Sequence, residues 1–260
     1  MSAIAVIPAR FGSTRFPGKP LARQTGKYLI QHVYEQVARA TLVEHVLVAT
    51  DDLRIAQAVE SFGGQARMTR PDHPSGTDRV AEVVRTLDPR FDLVVNVQGD
   101  EPEIDPEHID RLIRLLADDP DCPMATLACP FAVDADPADP NCVKVVCDHA
   151  GRALYFSRSL VPYPRDTAGR PEEPGQWLLH LGIYAYRRAF LLEYAGWQAG
   201  RLEQIERLEQ LRALERGVRI LVGRVEHAPA GIDTPEDYEA FVRRTASRSV
   251  GSATQTGPST

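Results

Sequence analysis

An apolar run over residues 3–9 (Ala-Ile-Ala-Val-Ile-Pro-Ala) feeds without a break into Arg10-Phe11-Gly12-Ser13-Thr14-Arg15-Phe16-Pro17-Gly18-Lys19-Pro20. The run reads as a buried strand, and the eleven residues after it hold three cations, two glycines and two prolines. In an open α/β sheet, the loop at a strand's carboxyl end is where ligands bind. Glycine lets backbone N–H groups approach phosphate oxygens, and Arg or Lys supplies the opposing charge. The expected ligand is a nucleoside triphosphate. Two familiar phosphate loops do not fit. A Walker A loop needs G-x-x-x-x-G-K-[ST], whereas here five residues separate Gly12 from Gly18 and Pro20 follows Lys19. The dinucleotide pattern G-x-G-x-x-G is also missing from this turn, which disfavours a dehydrogenase.

The rest of the first half alternates short apolar runs with helical periodicity, the pattern of a mainly parallel sheet flanked by helices. Strands are expected at 3–8, 45–49, 66–68 and 93–97, and a helix over 28–40. A second helix after Thr50 places Ile55, Ala58, Val59 and Phe62 on one face. A third opens at Ser75-Gly76-Thr77-Asp78 and sets Val80, Val83, Val84 and Leu87 at helical spacing. Ser75 and Asp78 form a short variant of the capping box. In the second half, strands are expected at 124–130, 143–146, 154–156 and 181–186, and a helix over 202–214. Residues 162–175, rich in Pro, Gly and charge, read as a long exposed loop. Thr234-Pro235-Glu236-Asp237 starts a last helix, with Thr as N-cap and Pro in the first turn. The Ser/Thr/Gly-rich stretch 246–260 reads as a disordered tail. The fold class is therefore α/β, a mainly parallel open sheet flanked by helices, with a smaller insertion on the substrate side.

Composition narrows the function. The chain has 260 residues, 43% of them hydrophobic and 25% charged, which suits an ordinary globular domain with a substantial core. A net charge of −6 argues against general nucleic-acid binding, so the basic loop is a local device. No apolar stretch reaches the roughly 18 residues of a membrane span, and nothing resembling a signal peptide precedes the first strand. Cys122, Cys129, Cys142 and Cys147 lack C-x-x-C spacing and the histidines lack a zinc pattern, so the cysteines read as reduced packing residues of a cytoplasmic protein.

Beyond these patterns the chain resembles a known family. The blocks are Ile7-Pro8-Ala9-Arg10 through Pro17-Gly18-Lys19-Pro20-Leu21, Ser75-Gly76-Thr77-Asp78-Arg79 and Asn96-Val97-Gln98-Gly99-Asp100-Glu101-Pro102. They continue with Asp139-Pro140-Asn141, Val143-Lys144-Val145-Val146 and Ala153-Leu154-Tyr155-Phe156-Ser157-Arg158. The last are His180-Leu181-Gly182-Ile183-Tyr184, Leu208-Glu209-Gln210-Leu211-Arg212 and Gly231-Ile232-Asp233-Thr234-Pro235-Glu236-Asp237. Together they resemble the 3-deoxy-manno-octulosonate (Kdo) cytidylyltransferases, also called CMP-Kdo synthetases, from about residue 3 to 242. Phe11-Gly12 stands where that family often has Tyr-Ala, Phe16 where Leu is usual, and Asp78 where Glu is frequent. The loop 162–175 is the least family-like region.

The resemblance implies a Rossmann-like nucleotidyltransferase fold and the reaction of CTP with Kdo to give CMP-Kdo and pyrophosphate for lipopolysaccharide synthesis. It also implies Mg²⁺ as cofactor and a homodimer. One domain is expected over 1–245, its nucleotide-binding part about 1–120 and its sugar-binding and dimerisation part about 121–232. Arg10, Arg15 and Lys19 are the candidates for the triphosphate. Ser75, Gly76 and Thr77 lie at a helix N-terminus that favours anions or polar ligand atoms, although Ser75 could simply cap. Gln98 is placed by the family close to the ribose or the sugar.

Asp100 and Asp233, both at loop ends, suit a magnesium ion that completes its shell with phosphate and water. The plain alternatives are a turn residue and a helix starter. Arg158 is the candidate for the sugar carboxylate, because bidentate geometry favours Arg. His180 and Tyr184, on one face of a strand, could bind sugar hydroxyls, or could be a core histidine and a packing tyrosine. Glu209 falls towards the apolar stripe of the expected helix 202–214, where a carboxylate needs a partner or a ligand. In the family Glu209 and Gln210 bind Kdo hydroxyls. Activation of another acidic sugar and a binding-only regulatory protein are the competing readings.

Overall fold

The computed structural model describes residues 1–12 and 15–253. Its centre is a nine-stranded sheet built on β1 (Ser2–Ala9), β2 (His45–Thr50), β3 (Ala66–Met68), β4 (Phe91–Asn96), β5 (Met124–Pro130), β6 (Lys144–Cys147), β7 (Ala153–Ser157), β8 (Leu178–Arg187) and β9 (Ile220–Arg224). The main path runs β3-β2-β1-β4-β8-β5-β9. β3, β2, β1 and β4 are mutually parallel, β8 is antiparallel to both β4 and β5, and β9 is parallel to β5. β6 and β7 form an antiparallel pair at the side of β8.

The apolar run of β1 explains why the sheet is covered on both faces. Ala3, Ala5, Ile7 and Ala9 enter one core, with Ile30, Val33 and Val37 of α1 (Leu29–Val37), Ile55 and Val59 of α2 (Leu53–Ser61), and Ile109, Leu112 and Leu116 of α4 (Pro106–Asp118). Ile4 and Val6 enter the other core. There they meet Val80, Val83 and Val84 of α3 (Gly76–Thr86), Leu191 and Tyr194 of α5 (Arg188–Tyr194), and Leu211 of α7 (Leu211–Leu214). Alternation of side chains along a strand sends successive residues to opposite faces, so only a strand with both faces covered can be apolar throughout.

Helix starts follow the sequence signals. Ser75 Oγ accepts from Asp78 N–H at 3.2 Å as the N-cap and donates to Asp78 Oδ2 at 2.6 Å, so the Asp78 carboxylate meets the cap's hydroxyl in place of the backbone N–H a capping box uses. α8 (Pro235–Ala253) opens with Thr234 Oγ1 accepting from Asp237 N–H, while Asp237 Oδ2 accepts from the N–H groups of Thr234 and Asp233. Those backbone donors hold the Asp237 carboxyl below the usual carboxylate range.

Two expectations change. The helix expected over 202–214 is broken into α6 (Arg201–Glu206) and α7, because Arg207 takes a left-handed conformation at φ 54°. The stretch expected to be a tail from 246 continues as helix to Ala253. Residues 254–260, with Ser13 and Thr14, lie outside the described residues. Among the described residues no helix is long and apolar enough to cross a membrane.

Candidate active site

The chain builds β1, β2 and β3 to one side, then crosses β1 to lay down β4 on the other. Where strand order reverses in this way, the loops after the two central strands part and leave a crevice at their carboxyl ends. Here those loops are 10–18 after β1 and 97–105 after β4. A cavity of about 310 Å³ opens between them, lined by Arg10, Arg15, Lys19, Ser75, Gly76, Gln98, Asp100 and Asp233 together with Pro8, His73 and Arg79. Two glycines make the approach possible. A Cβ on Gly99 would lie 2.9 Å from the carbonyl oxygen of Pro8. Gly18, at φ 72°, donates its N–H to Phe11 O at 3.0 Å and closes the basic loop.

Lys19 stands at the focus. Its Nζ donates to Asp100 Oδ2 at 2.8 Å and to the carbonyl of Ile232 at 2.6 Å, and lies 4.0 Å from Asp233 Oδ1. Arg15 reaches the same Asp233 oxygen at 3.0 Å. Residues some 130 positions apart thus direct both carboxylates at one ammonium group. Two hard oxygen donors converging on one point suit a magnesium ion that draws its other ligands from phosphates and water. No cluster of three or more His, Cys, Asp or Glu able to hold a metal by themselves occurs among the described residues.

Arg79 and His73 were not singled out from the sequence. Arg79 is only 5% exposed, paired with Asp51 at 3.1 Å and bonded to Thr69 Oγ1. An arginine one residue before the stripe of Val80, Val83 and Val84 was the available signal, since a buried cation needs a partner. His73 is bonded to Glu82, whose carboxyl the contact helps hold low against burial.

A second group lies next to the cavity. Gln98 links them, donating Nε2–H to Gly182 O at 3.0 Å. That carbonyl is available because β8 carries two extra residues opposite Thr126 and Leu127 of β5, where the register shifts. Thr77 is buried under Asn96, apart from the cavity lining. Glu209 sits between α6 and α7 with Oε1 buried and unpartnered, and Gln210 is buried with Nε2 unpartnered. Burial raises the Glu209 carboxyl, and the Thr77 hydroxyl pulls it back. The periodicity argument for Glu209 does not hold, since the helix is broken and Ile205 is 64% exposed; its buried, unpaired oxygen is a stronger reason to expect a ligand.

Tyr184 neighbours Glu209, and burial together with that carboxylate raises its hydroxyl pKa. His180 Nε2 lies 3.0 Å from Thr126 Oγ1, its ring edge-on to Phe156. Burial depresses His180 to about 3, so it is neutral at physiological pH. Its folded pKa lies below its ordinary 6.5, so the unfolded chain takes up the proton first as pH falls, and stability drops from about 6.5 downward. Replacing His180 with Gln is expected to flatten the decline of Tm between pH 6.5 and 4; an unchanged slope would refute the assignment.

Arg158 lies outside that cavity lining, as do His180, Tyr184, Glu209 and Gln210. Its guanidinium donates to the carbonyls of Glu206 (2.7 Å), Pro140 (2.9 Å) and Arg207 (3.4 Å), and its N–H donates to Glu206 Oε2. The buried Lys144 joins the same knot, donating to Asp139 O and Arg158 O. These residues fasten the loop 139–142 and the end of β7 to α6, and so carry the turn that presents Glu209. The Arg158 fork bonds three backbone oxygens in this structure.

The family profile described as "Cytidylyltransferase" matches residues 4–220. The chain belongs to the cytidylyltransferase family. It is 52% identical over 251 residues to the 3-deoxy-manno-octulosonate cytidylyltransferase of Syntrophotalea carbinolica, covering 94% of this chain and 99% of that one. It is 55% identical over 243 residues to the protein of the same name from Pelobacter propionicus, covering 91% and 94%. A solved structure of a CMP:2-keto-3-deoxy-manno-octonic acid synthetase complexed with CTP superposes with a TM-score of 0.88 at 46% identity, covering 95% of this cytidylyltransferase and 100% of that chain. The 4-diphosphocytidyl-2C-methyl-D-erythritol synthase of Anaerococcus prevotii, at 14% identity and a TM-score of 0.60, shares the nucleotidyltransferase fold.

Proposed function

We propose that this protein is a 3-deoxy-manno-octulosonate cytidylyltransferase, converting CTP and Kdo to CMP-Kdo and pyrophosphate, with magnesium, as a cytoplasmic homodimer. The observation that carries the reading is the convergence of Arg10, Arg15, Lys19, Asp100 and Asp233 in one crevice of a chain about half identical to enzymes of that name. The sugar's anomeric oxygen attacks the α-phosphorus, the bond from that phosphorus to the β-bridging oxygen breaks, and pyrophosphate leaves with the electron pair. The hydroxyl proton passes to solvent. Such a transfer needs alignment and charge neutralisation in place of a covalent nucleophile.

Arg10, Arg15 and Lys19 bind the triphosphate and hold the departing pyrophosphate, with Ser75, Gly76 and Gln98 lining the nucleotide's side of the cavity. Asp100 and Asp233 would hold the magnesium ion, which when bound draws charge from the α-phosphate. Glu209, Gln210, Tyr184 and His180 receive the sugar, with Arg158 the cation for its carboxylate. The unpartnered Glu209 Oε1 and Gln210 Nε2 supply an acceptor and a donor for hydroxyls. Glu209→Ala is expected to raise KM for Kdo about tenfold or more, the scale of one hydrogen bond to a charged group, while KM for CTP stays within about twofold; an equal rise for CTP would remove Glu209 from the sugar site.

The overall test is pyrophosphate release from CTP, UTP, GTP and ATP against Kdo, 8-amino-Kdo and sialic acid, with and without Mg²⁺. Release confined to CTP, Kdo and Mg²⁺ supports the reading. Release with CTP and a different sugar reassigns the sugar pocket, and no release overturns the reading.

A further inference from the structure

The two aspartates belong to segments remote in sequence, yet their backbones meet directly. Ile232 N–H donates to the carbonyl oxygen of Asp100 at 2.9 Å, the kind of bond that joins neighbouring strands. Ile232 is buried against Leu29, Tyr238 and Phe241, so the start of α8 is fixed to α1. This contact alone is a pivot: it fixes one point of the loop 97–105 against α8 and leaves the angle between them open.

A second contact sets that angle. Glu103 lies three residues beyond Asp100, on the same loop, and its side chain is only 13% exposed. Arg244 of α8 grips its Oε2 with Nε at 3.0 Å and a terminal nitrogen at 2.6 Å. Arg248, one helical turn further, reaches Oε1 at 2.9 Å. Both carboxylate oxygens are therefore held from one helix face, Oε2 by two nitrogens of Arg244 and Oε1 by Arg248, through charge-assisted contacts. The stretch between the anchors is stiff, since Pro102 is buried and Ile104 N–H turns back to Glu101 O. α8 thus carries Asp233 immediately before its first turn and holds the Asp100 loop by its third. No catalytic step described above uses Glu103, Arg244 or Arg248.

Resting on the magnesium reading of Asp100 and Asp233, we propose that Glu103, gripped by Arg244 and Arg248, is a positioning residue that sets the spacing of the two aspartates and so the protein's affinity for the divalent cation. Partners that orient ligating carboxylates commonly change metal affinity about tenfold or more when removed. A spacing device has a distinct signature: it alters the metal requirement and leaves nucleotide contacts and the chemistry at saturating metal intact.

The test uses the full chain and Glu103→Gln, with the double variant Arg244→Ala/Arg248→Ala as a second disruption from the helix side. The control is Arg243→Ala, whose one ion pair among the described residues is with Glu239 on the same helix at 3.9 Å. CTP binding is followed calorimetrically without sugar, in EDTA and across a Mg²⁺ titration, and turnover is followed across the same titration. The expected result is a rise of about tenfold in half-saturating Mg²⁺ in both measurements. CTP affinity in EDTA and kcat at saturating Mg²⁺ stay within about twofold, and Arg243→Ala matches the parent.

An unchanged Mg²⁺ requirement in both disrupted variants overturns the proposal, whatever happens to Tm. So does an equal loss of CTP affinity in EDTA, which marks a general structural role. If Glu103→Gln does not fold, Arg248→Ala, which removes the ion pair of an exposed side chain with Glu103, carries the same comparison. If the parent chain binds CTP with no dependence on Mg²⁺, the functional reading itself has failed, an outcome the variants cannot mimic.

Discussion

Replacing Asp100 or Asp233 with asparagine is expected to lower kcat for pyrophosphate release by about 10²- to 10³-fold, the loss typical of removing one well-placed electrostatic group from a transition state. Asparagine keeps the size and one acceptor oxygen but not the charge that a hard divalent cation requires. The cost to folding is far smaller. Asp233 and Arg15 are both more than half exposed, and such pairs contribute about 0–1 kcal/mol. Asp100 and Lys19 are more buried, yet Lys19 retains the carbonyl of Ile232 when the carboxylate charge is removed. Rates measured at saturating CTP and Kdo across a Mg²⁺ titration, with Tm alongside, separate the two effects. Near-normal rates with a normal Mg²⁺ requirement in both variants would remove the aspartates from the reaction.

Lys19→Met should be comparably severe for a different reason. Methionine fills the slot of a side chain only 12% exposed, but leaves Asp100 and Ile232 O without their donor and Asp233 with one neighbouring cation fewer. Two carboxylates then face the triphosphate with less opposing charge. CTP affinity measured without sugar is expected to fall about tenfold, and kcat by about 10²-fold or more. Arginine should not rescue, because its planar fork cannot replace a compact ammonium held by one carboxylate and one carbonyl. Unaltered CTP binding with unaltered turnover would show that Lys19 only ties loops together.

The crevice was legible because its parts are local and chemically loud. A buried strand ending in Arg10, Arg15 and Lys19 declares a phosphate site, and Ser75 with Asp78 declares the end of a helix. Their meeting with Asp233 was carried by resemblance, since nothing local says that residue 233 returns to residue 19. The sugar side was less legible. Glu209 was reached through a helix that Arg207 interrupts, and a left-handed non-glycine residue has no reliable sequence mark. Arg158 suits a carboxylate by residue type; that its guanidinium also reaches three backbone carbonyls is visible only in the fold. α4 carries a readable start in Asp105 and Pro106, whereas β9, a short apolar stretch after a helix, carries no decisive period.

The position of β8 bears on how the chain can be cut. Leu93 to Asn96 of β4 find their outer neighbour in Tyr184 to Arg187, roughly ninety residues later. A fragment ending near residue 120 would carry the basic loop, the cap at Ser75 and Asp100, yet would present β4 as a bare apolar edge, open to pairing with other chains. The same strand continues from β4 to the bulge at Gly182 and on towards His180. Nucleotide side and sugar side therefore share one strand, so the two are joined through the sheet itself and not only through loops.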